Sequence, residues 1–206
     1  KLNKSKQLEW ERIWGTLESD RINSIALDSL GNVYTVGQSD NNLVLLRKYN
    51  TNGTFLWEIS WTSYTSYISG KLAIDLADNI YVTGNSGVEM FLGKYNSTGD
   101  LDWYKTFGAD NQSIRSTDIV VDSCNNIYTC GYVGIALPSP GAYVNDVFVA
   151  KFNASGVQMW NKTWGGSNSD CGYDIIIDEN DNVYITGQTN SFGDITGDIF
   201  LTRFLP

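Results

Sequence analysis

An Asn-x-Tyr core occurs four times, as Asn32-Val33-Tyr34, Asn79-Ile80-Tyr81, Asn126-Ile127-Tyr128 and Asn182-Val183-Tyr184, with tyrosines 47, 47 and 56 residues apart. Self-similarity at a period of about 40–50 residues marks a stacked array, in which neighbours bury the faces that one unit leaves open. The 206-residue chain therefore reads as one array rather than two unrelated domains. Aromatic residues make up 13% of it, with seven Trp and twelve Tyr. A fully buried large apolar side chain contributes roughly 1.5–3 kcal/mol, so such a chain can build its core without metals or disulfides.

Each unit holds four short strand-like runs. The first is Ser24-Ile25-Ala26-Leu27-Asp28, matched by Leu72 to Asp75, Ile119 to Asp122 and Ile175 to Asp178. Being apolar on both faces, it suits an innermost strand between neighbours. The second is the Asn-x-Tyr core, ending at Gly37, Gly84, Gly131 and Gly187. The third carries a basic residue beside an aromatic one: Lys48-Tyr49, Lys94-Tyr95, Lys151-Phe152 and Arg203-Phe204. The fourth places aromatics four residues apart, Trp57 and Trp61, Trp103 and Phe107, Trp160 and Trp164, on one face of a strand. Four such runs separated by turn residues predict a four-stranded antiparallel blade, and four blades an all-β propeller.

The turn between first and second strands reads Asp-x-x-[Gly/Asp/Asn]-Asn, beginning at Asp28, Asp75, Asp122 and Asp178. Gly, Asn and Asp tolerate positive φ, and the leading Asp caps backbone amides. These four carboxylates would ring one mouth of the channel, where Ca²⁺ favours oxygen ligands. Their recurrence in every unit fits turn capping better, and no other cofactor is expected. The acidic stretches 170–174 and 193–198 are further Ca²⁺ candidates without a known ligand spacing. Lys48, Lys94, Lys151 and Arg203 are expected to pair with turn carboxylates or carbonyls as part of the scaffold.

The two ends of the repeat are complementary. Residues 1–10 align with 94–103, so Trp10 and Trp14 form a fourth strand whose blade is missing, while 199–204 is a third strand without its fourth. The expected division is a closing strand at 1–14, then blades at 15–61, 62–107, 108–164 and 165–206. The last blade would be completed by the N-terminal strand, either within one chain or between two chains as an eight-bladed homodimeric ring; an open fragment of a longer array, with unpaired edges, is the third arrangement.

The units resemble those of the seven-bladed β-propeller (SBBP) repeat family: Asp-x-x-Gly-Asn-x-Tyr-x-Thr-Gly, then Asp-x-Phe-x-x-Lys. Unit four shows this in Asp178 to Gly187 and Asp198 to Leu201, and unit three adds Pro138-Ser139-Pro140-Gly141-Ala142-Tyr143. Unit two departs most, with 63–70 in place of a Gly-Gly entry, and four units stand where the family name speaks of seven. The resemblance implies a propeller, often of secreted or surface proteins, with no shared catalytic activity or cofactor site.

Function is sought where the repeat fails, on the face of the longer loops. That face gathers Gln38, Tyr64, Tyr67, Arg115, Tyr132, Tyr143, Tyr173 and Gln188, with Asp40, Asn41, Asn85, Asn145, Asp170 and Asn190 beside them. Tyr, Gln and Asn side chains on one surface stack on and hydrogen-bond a glycan or a peptide. A net charge of −9 argues against nucleic-acid partners, and no apolar run is long enough for a membrane span. The chain has no histidine, which removes Ser-His-Asp triads and imidazole metal centres. The three cysteines, Cys124, Cys130 and Cys171, read as free thiols, Cys130 as a core residue, with a Cys124–Cys171 or Cys124–Cys130 bridge as the alternative. The expectation is a non-enzymatic recognition or assembly module, extracellular or on the cell surface. Two alternatives stand beside it: a carbohydrate-active hydrolase or lyase using loop carboxylates among Asp40, Asp110, Asp170 and Asp194, and a purely structural spacer.

Overall fold

The repeated runs of the four units become strands, whereas the stretch around Trp10 and Trp14, expected as a fourth strand, does not. The computed structural model describes residues 7–17, 19–39, 43–62, 70–108, 112–137, 143–193 and 197–204. Blade 1 comprises β1 (Arg21–Leu27), β2 (Val33–Ser39), β3 (Leu43–Tyr49) and β4 (Phe55–Thr62); blade 2 comprises β5 (Lys71–Ile74), β6 (Ile80–Ser86), β7 (Glu89–Tyr95) and β8 (Leu101–Phe107). Blade 3 has β9 (Ile114–Val121), β10 (Ile127–Ala136), β11 (Tyr143–Phe152) and β12 (Gln158–Trp164), and blade 4 has β13 (Asp170–Ile177), β14 (Val183–Thr189) and β15 (Asp198–Phe204). Each blade is an antiparallel meander paired in sequence order. The chain is a four-bladed propeller.

Three apolar cores hold the blades together, one at each consecutive junction. Tyr34, Val36, Val44 and Leu46 of blade 1 meet Leu72, Ile80, Val82, Phe91 and Tyr95 of blade 2. Tyr81, Met90 and Leu92 meet Ile119, Ile127, Phe148 and Phe152 in the same way. Cys130, Val147 and Val149 of blade 3 meet Ile175, Val183, Ile185 and Phe200 of blade 4. The second and third strands of blades 2 and 3 are buried on both faces, because each contributes alternate residues to two junctions. The outer strands β4, β8 and β12 alternate half-buried aromatics with exposed positions. Among the described residues no such core joins blade 4 to blade 1.

The fourth-strand aromatics lean onto the following blade. Trp61 stacks on Tyr95 at 6.0 Å and Phe107 meets Phe152 at 4.6 Å. Trp103 lies over Gly156 and donates from Nε1 to the Ala154 carbonyl at 3.3 Å. The N-terminal segment repeats this on blade 1: Trp14 meets Tyr49 at 5.3 Å, Trp10 lies over Gly53, and Trp10 Nε1 donates to Thr51 O at 3.1 Å. It packs on blade 1 as Trp103 packs on blade 3, but residues 9–14 form no strand. Blade 4, however, has three strands, and among the described residues β15 pairs with β14 alone.

Candidate functional site

The repeated motif builds one end of the propeller. In blade 1 the Asp28 carboxylate accepts from Leu30 N at 3.1 Å, Asn32 N at 2.8 Å, Asn32 Nδ2 at 2.8 Å and the Tyr34 hydroxyl at 3.1 Å. Asp75, Asp122 and Asp178 hold the same set of partners in their own units. The fourth turn residue takes positive φ in every case, at Gly31, Asp78, Asn125 and Asp181. Burial pushes the Tyr34, Tyr81 and Tyr128 hydroxyls well above the usual phenol range, and the adjoining carboxylates add to it. The basic residue of the third strand lies over the same tyrosine ring, Lys48 and Lys151 at 4.8 Å, Lys94 at 5.9 Å and Arg203 at 5.8 Å. Lys48 and Lys151 also reach the turn aspartate, at 3.4 and 4.0 Å, whereas Lys94 pairs with Asp102 of β8 at 3.0 Å. This end is scaffold, since its polar groups are consumed by one another.

The opposite end is shaped by β-bulges. The innermost strand shifts register between Ile22 and Ser24, between Ser116 and Asp118, and between Gly172 and Asp174. A bulge carries one extra residue out of the ladder and re-aims its side chain; here these are Asn23, Thr117 and Tyr173. The second-strand glycine makes room for it, because a Cβ on Gly37, Gly131 or Gly187 would collide with the carbonyl of Arg21, Arg115 or Cys171. Thr117 uses its freed hydroxyl to donate to Gly172 O of blade 4 at 2.8 Å. Tyr173, half exposed, donates to Gln188 Oε1 at 3.1 Å. Burial first, then the neighbouring Cys171 and Tyr132, raise the Tyr173 phenol above its ordinary range.

The expected site residues therefore separate into groups. Tyr132, Tyr173 and Gln188 meet at the boundary of blades 3 and 4, with Arg115 paired across the ladder from Tyr132. Tyr143 is exposed and pairs with Ala136 at the far end of the β10–β11 ladder. Gln38 is buried in blade 1, facing a cleft of about 240 Å³ that Arg12, Trp14, Arg21 and Leu45 also line. Asn85 is buried as well, accepting from Ser116 N of blade 3 at 3.0 Å. Tyr64 and Tyr67 lie outside the described residues, as do Asp40, Asn41, Asp110 and Asp194.

Asp170 is not an available loop carboxylate. It opens β13, fully buried, and accepts from the Thr189 hydroxyl, Ser191 Oγ at 2.7 Å, Gly166 N at 2.9 Å and Asn190 N at 3.2 Å. Burial works to raise its pKa, but these donors together hold it below the usual range. A carboxyl pair that the repeat pattern did not single out lies nearer the axis. Asp118 of β9 contacts Asp174 of β13 and accepts from Ile175 N at 3.2 Å. Burial first, then the hydrogen bond with Asp174, pushes Asp118 up to about 7. The two are repeat equivalents, so the blade stacking alone brings them together. Among the described residues no group of three or more Cys, Asp or Glu side chains is arranged to hold a metal ion. Cys124, Cys130 and Cys171 are free thiols, with Cys130 buried in the blade 3–blade 4 core.

Comparison with known proteins identifies the fold. The SBBP β-propeller repeat profile matches residues 3–43 and 164–196. No curated protein matches the sequence. Among solved structures, a protein of unknown function from Bacteroides caccae is 15% identical, with a TM-score of 0.48 over 91% of this chain and 78% of that one. Drosophila Plexin A, solved in complex with Semaphorin 1b, is 8% identical, with a TM-score of 0.53 over 89% of this chain and 40% of that one. A chimera of apocarotenoid oxygenase with RPE65 is 11% identical, with a TM-score of 0.51 over 93% of this chain and 51% of that one. The chain thus spans about half the length of the last two, and the likeness is one of fold alone.

Proposed function

This chain is built of SBBP β-propeller repeats, and on that premise we propose that it is a non-enzymatic recognition module that binds a glycan or a protein through its bulged, long-loop end. The observation that carries the reading is the Tyr173–Gln188 pair with Tyr132 alongside. The repeat-equivalent second-strand residues Gln38 and Asn85 are buried, whereas Gln188 is exposed and Tyr132 partly so. Here aromatic and amide groups lie together at the surface. A half-exposed phenol held by an amide offers a ring face for stacking and hydrogen-bonding groups around it, the combination that orients a ligand. An extracellular or cell-surface setting belongs to the same reading and is supported by the family resemblance.

The test is binding of the purified chain to glycan and peptide arrays, followed by titration of any hit against Tyr173→Ala and Gln188→Ala. The expected result is at least tenfold weaker binding with unchanged thermal stability. Binding that ignores both substitutions, or no binding to any array member, rejects the reading and leaves the structural-spacer alternative.

The Asp118–Asp174 pair is the one observation favouring a hydrolase or lyase, since a carboxyl poised near neutrality suits general acid chemistry. Its hydrogen bond to Ile175 N supports a junction role instead. Release of reducing ends from polysaccharide, lost in Asp118→Asn, would establish the enzymatic alternative.

A further inference from the structure

Arg115 and Tyr132 stand without acceptors at the junction of blades 3 and 4. They lie directly opposite each other in the β9–β10 ladder, so their side chains share one face of blade 3. That face is the one turned to blade 4, because Tyr128 and Cys130, at the preceding alternate positions of β10, belong to the core between those blades. The two backbones touch just before this point. A Cβ on Gly172 would stand 3.0 Å from Gly131 O, and the Thr117 hydroxyl donates to Gly172 O at 2.8 Å. Beyond that contact come Arg115 and Tyr132, both partly buried, with Tyr173 of blade 4 near Tyr132.

Elsewhere the basic side chains find partners. Arg47, Lys48, Lys94 and Lys151 pair with carboxylates, Lys105 donates to Ser155 O at 2.9 Å, and Arg203 lies over Tyr184. Arg21, which holds the position of Arg115 in blade 1, is engaged as well. Among the described residues, the Arg115 guanidinium has no hydrogen bond, ion pair or ring contact, and the Tyr132 hydroxyl has no hydrogen bond. No carboxylate is among the groups that raise the Tyr173 phenol, in contrast to Tyr34, Tyr81 and Tyr128. A chain of net charge −9 thus leaves a guanidinium and a phenol hydroxyl side by side with no anion to receive them. Taking an arginine partly out of water costs free energy that an anionic partner offsets.

We propose that Arg115 and Tyr132 form an anion-recognising subsite, and that the ligand of the bulged end is an acidic glycan whose carboxylate they hold. The guanidinium fork matches a carboxylate in bidentate fashion, with the Tyr132 hydroxyl as a further donor. The half-exposed Tyr173 ring supplies the face on which a sugar ring stacks. An acidic peptide fits less well. The side chains gathered here, Arg115, Thr117, Tyr132 and Tyr173, are aromatic and polar, without the aliphatic pocket that anchors a peptide side chain. This ligand class rests on the bulged end being a recognition surface, as proposed above.

Oligosaccharides of galacturonic, glucuronic and mannuronic acid, titrated onto the purified chain beside the methyl esters of the same oligosaccharides, provide the test. The ester keeps every ring and hydroxyl and removes only the charge. At least one free acid should bind roughly tenfold or more tighter than its ester. Arg115→Gln should make the two equal, while Arg115→Lys, which keeps the charge but not the fork, should retain part of the preference. Tyr132→Phe should weaken binding of the acid by a smaller factor. Neither side chain has a hydrogen-bond partner to strand, so all three variants should melt as wild type does. Equal binding of acid and ester by wild type, or a preference that survives Arg115→Gln, overturns the proposal and leaves the recognition surface standing. Preference for a glutamate-rich peptide over every oligosaccharide overturns the sugar assignment. Absence of binding to any of these ligands overturns the proposal, and only absence from the wider arrays as well removes the recognition surface with it.

Discussion

The Tyr81 hydroxyl donates to Asp75 Oδ2 at 3.1 Å from a position with no solvent exposure, and the same carboxylate holds Asn79 through both its backbone and its side chain. The tyrosine thus anchors the second strand to the turn that precedes it. Its ring also forms part of the junction to blade 3. The Asp-to-Tyr motif recurs because each blade needs its turn, its strand and its junction fixed by one carboxylate.

Removing the two partners should therefore have unequal effects. Tyr81→Phe deletes one hydrogen bond and should cost about 1 kcal/mol, whereas Asp75→Ala strands several buried donors and should cost about 3 kcal/mol or more. Urea denaturation of both variants measures the difference. Equal losses would mean that the turn does not depend on the carboxylate.

Two glycines separate backbone conformation from close approach. Gly87 has φ +71° with open space around it, so Gly87→Ala should cost about 1–2 kcal/mol, the ordinary left-handed penalty. Gly131 has no such φ, but its Cβ would meet the Arg115 carbonyl. Because backbone must move to relieve it, Gly131→Ala should cost about 3 kcal/mol or more. Thermal melts would show the larger loss at Gly131, and the reverse order would discredit the bulge as the reason for that glycine.

Asp118 gives stability a dependence on pH near neutrality. Its pKa is raised from an ordinary 3.8 in the unfolded chain to about 7 in the fold. Its contribution is therefore fully present below pH about 4 and is lost as pH rises through about 7. Asp118→Asn, which keeps the shape and stays neutral, should flatten that part of the profile and leave the variant more stable than wild type at pH 8. Denaturant midpoints at pH 5, 6, 7 and 8 provide the comparison.

On the acid side the sign reverses. Hydrogen bonds from Asn182 hold Asp178 down to about 2 against an ordinary 3.8. That contribution is present above pH about 4 and is lost as pH falls through about 2. Asn182→Ala removes the side-chain donors and should move the acid-unfolding midpoint upward. An unchanged midpoint by circular dichroism would mean that the turn carboxylate is not what acid titrates.

Much of the scaffold was legible in the residues because its causes are local. The Asp-x-x-x-Asn-x-Tyr turn closes within seven residues, the positive-φ positions carry Gly, Asp or Asn, and Trp at a spacing of four lies on one strand face. The candidate site was legible only in part. Tyr173 and Gln188 are hydrogen-bonded neighbours, but Gln38, the repeat equivalent of Gln188, and Asn85 are buried. The Asp118–Asp174 pair escaped notice because each residue looks ordinary in its own unit.

By itself, then, the sequence determined the period, the blade and the turns, since hydrophobic alternation and turn chemistry act over a few residues. The tertiary structure alone decided where the inner strands bulge and which carboxyls meet between blades. Those depend on how one blade lies against the next: Asp118 and Asp174 hold the same position in their repeats, and they meet because blade 4 stacks on blade 3.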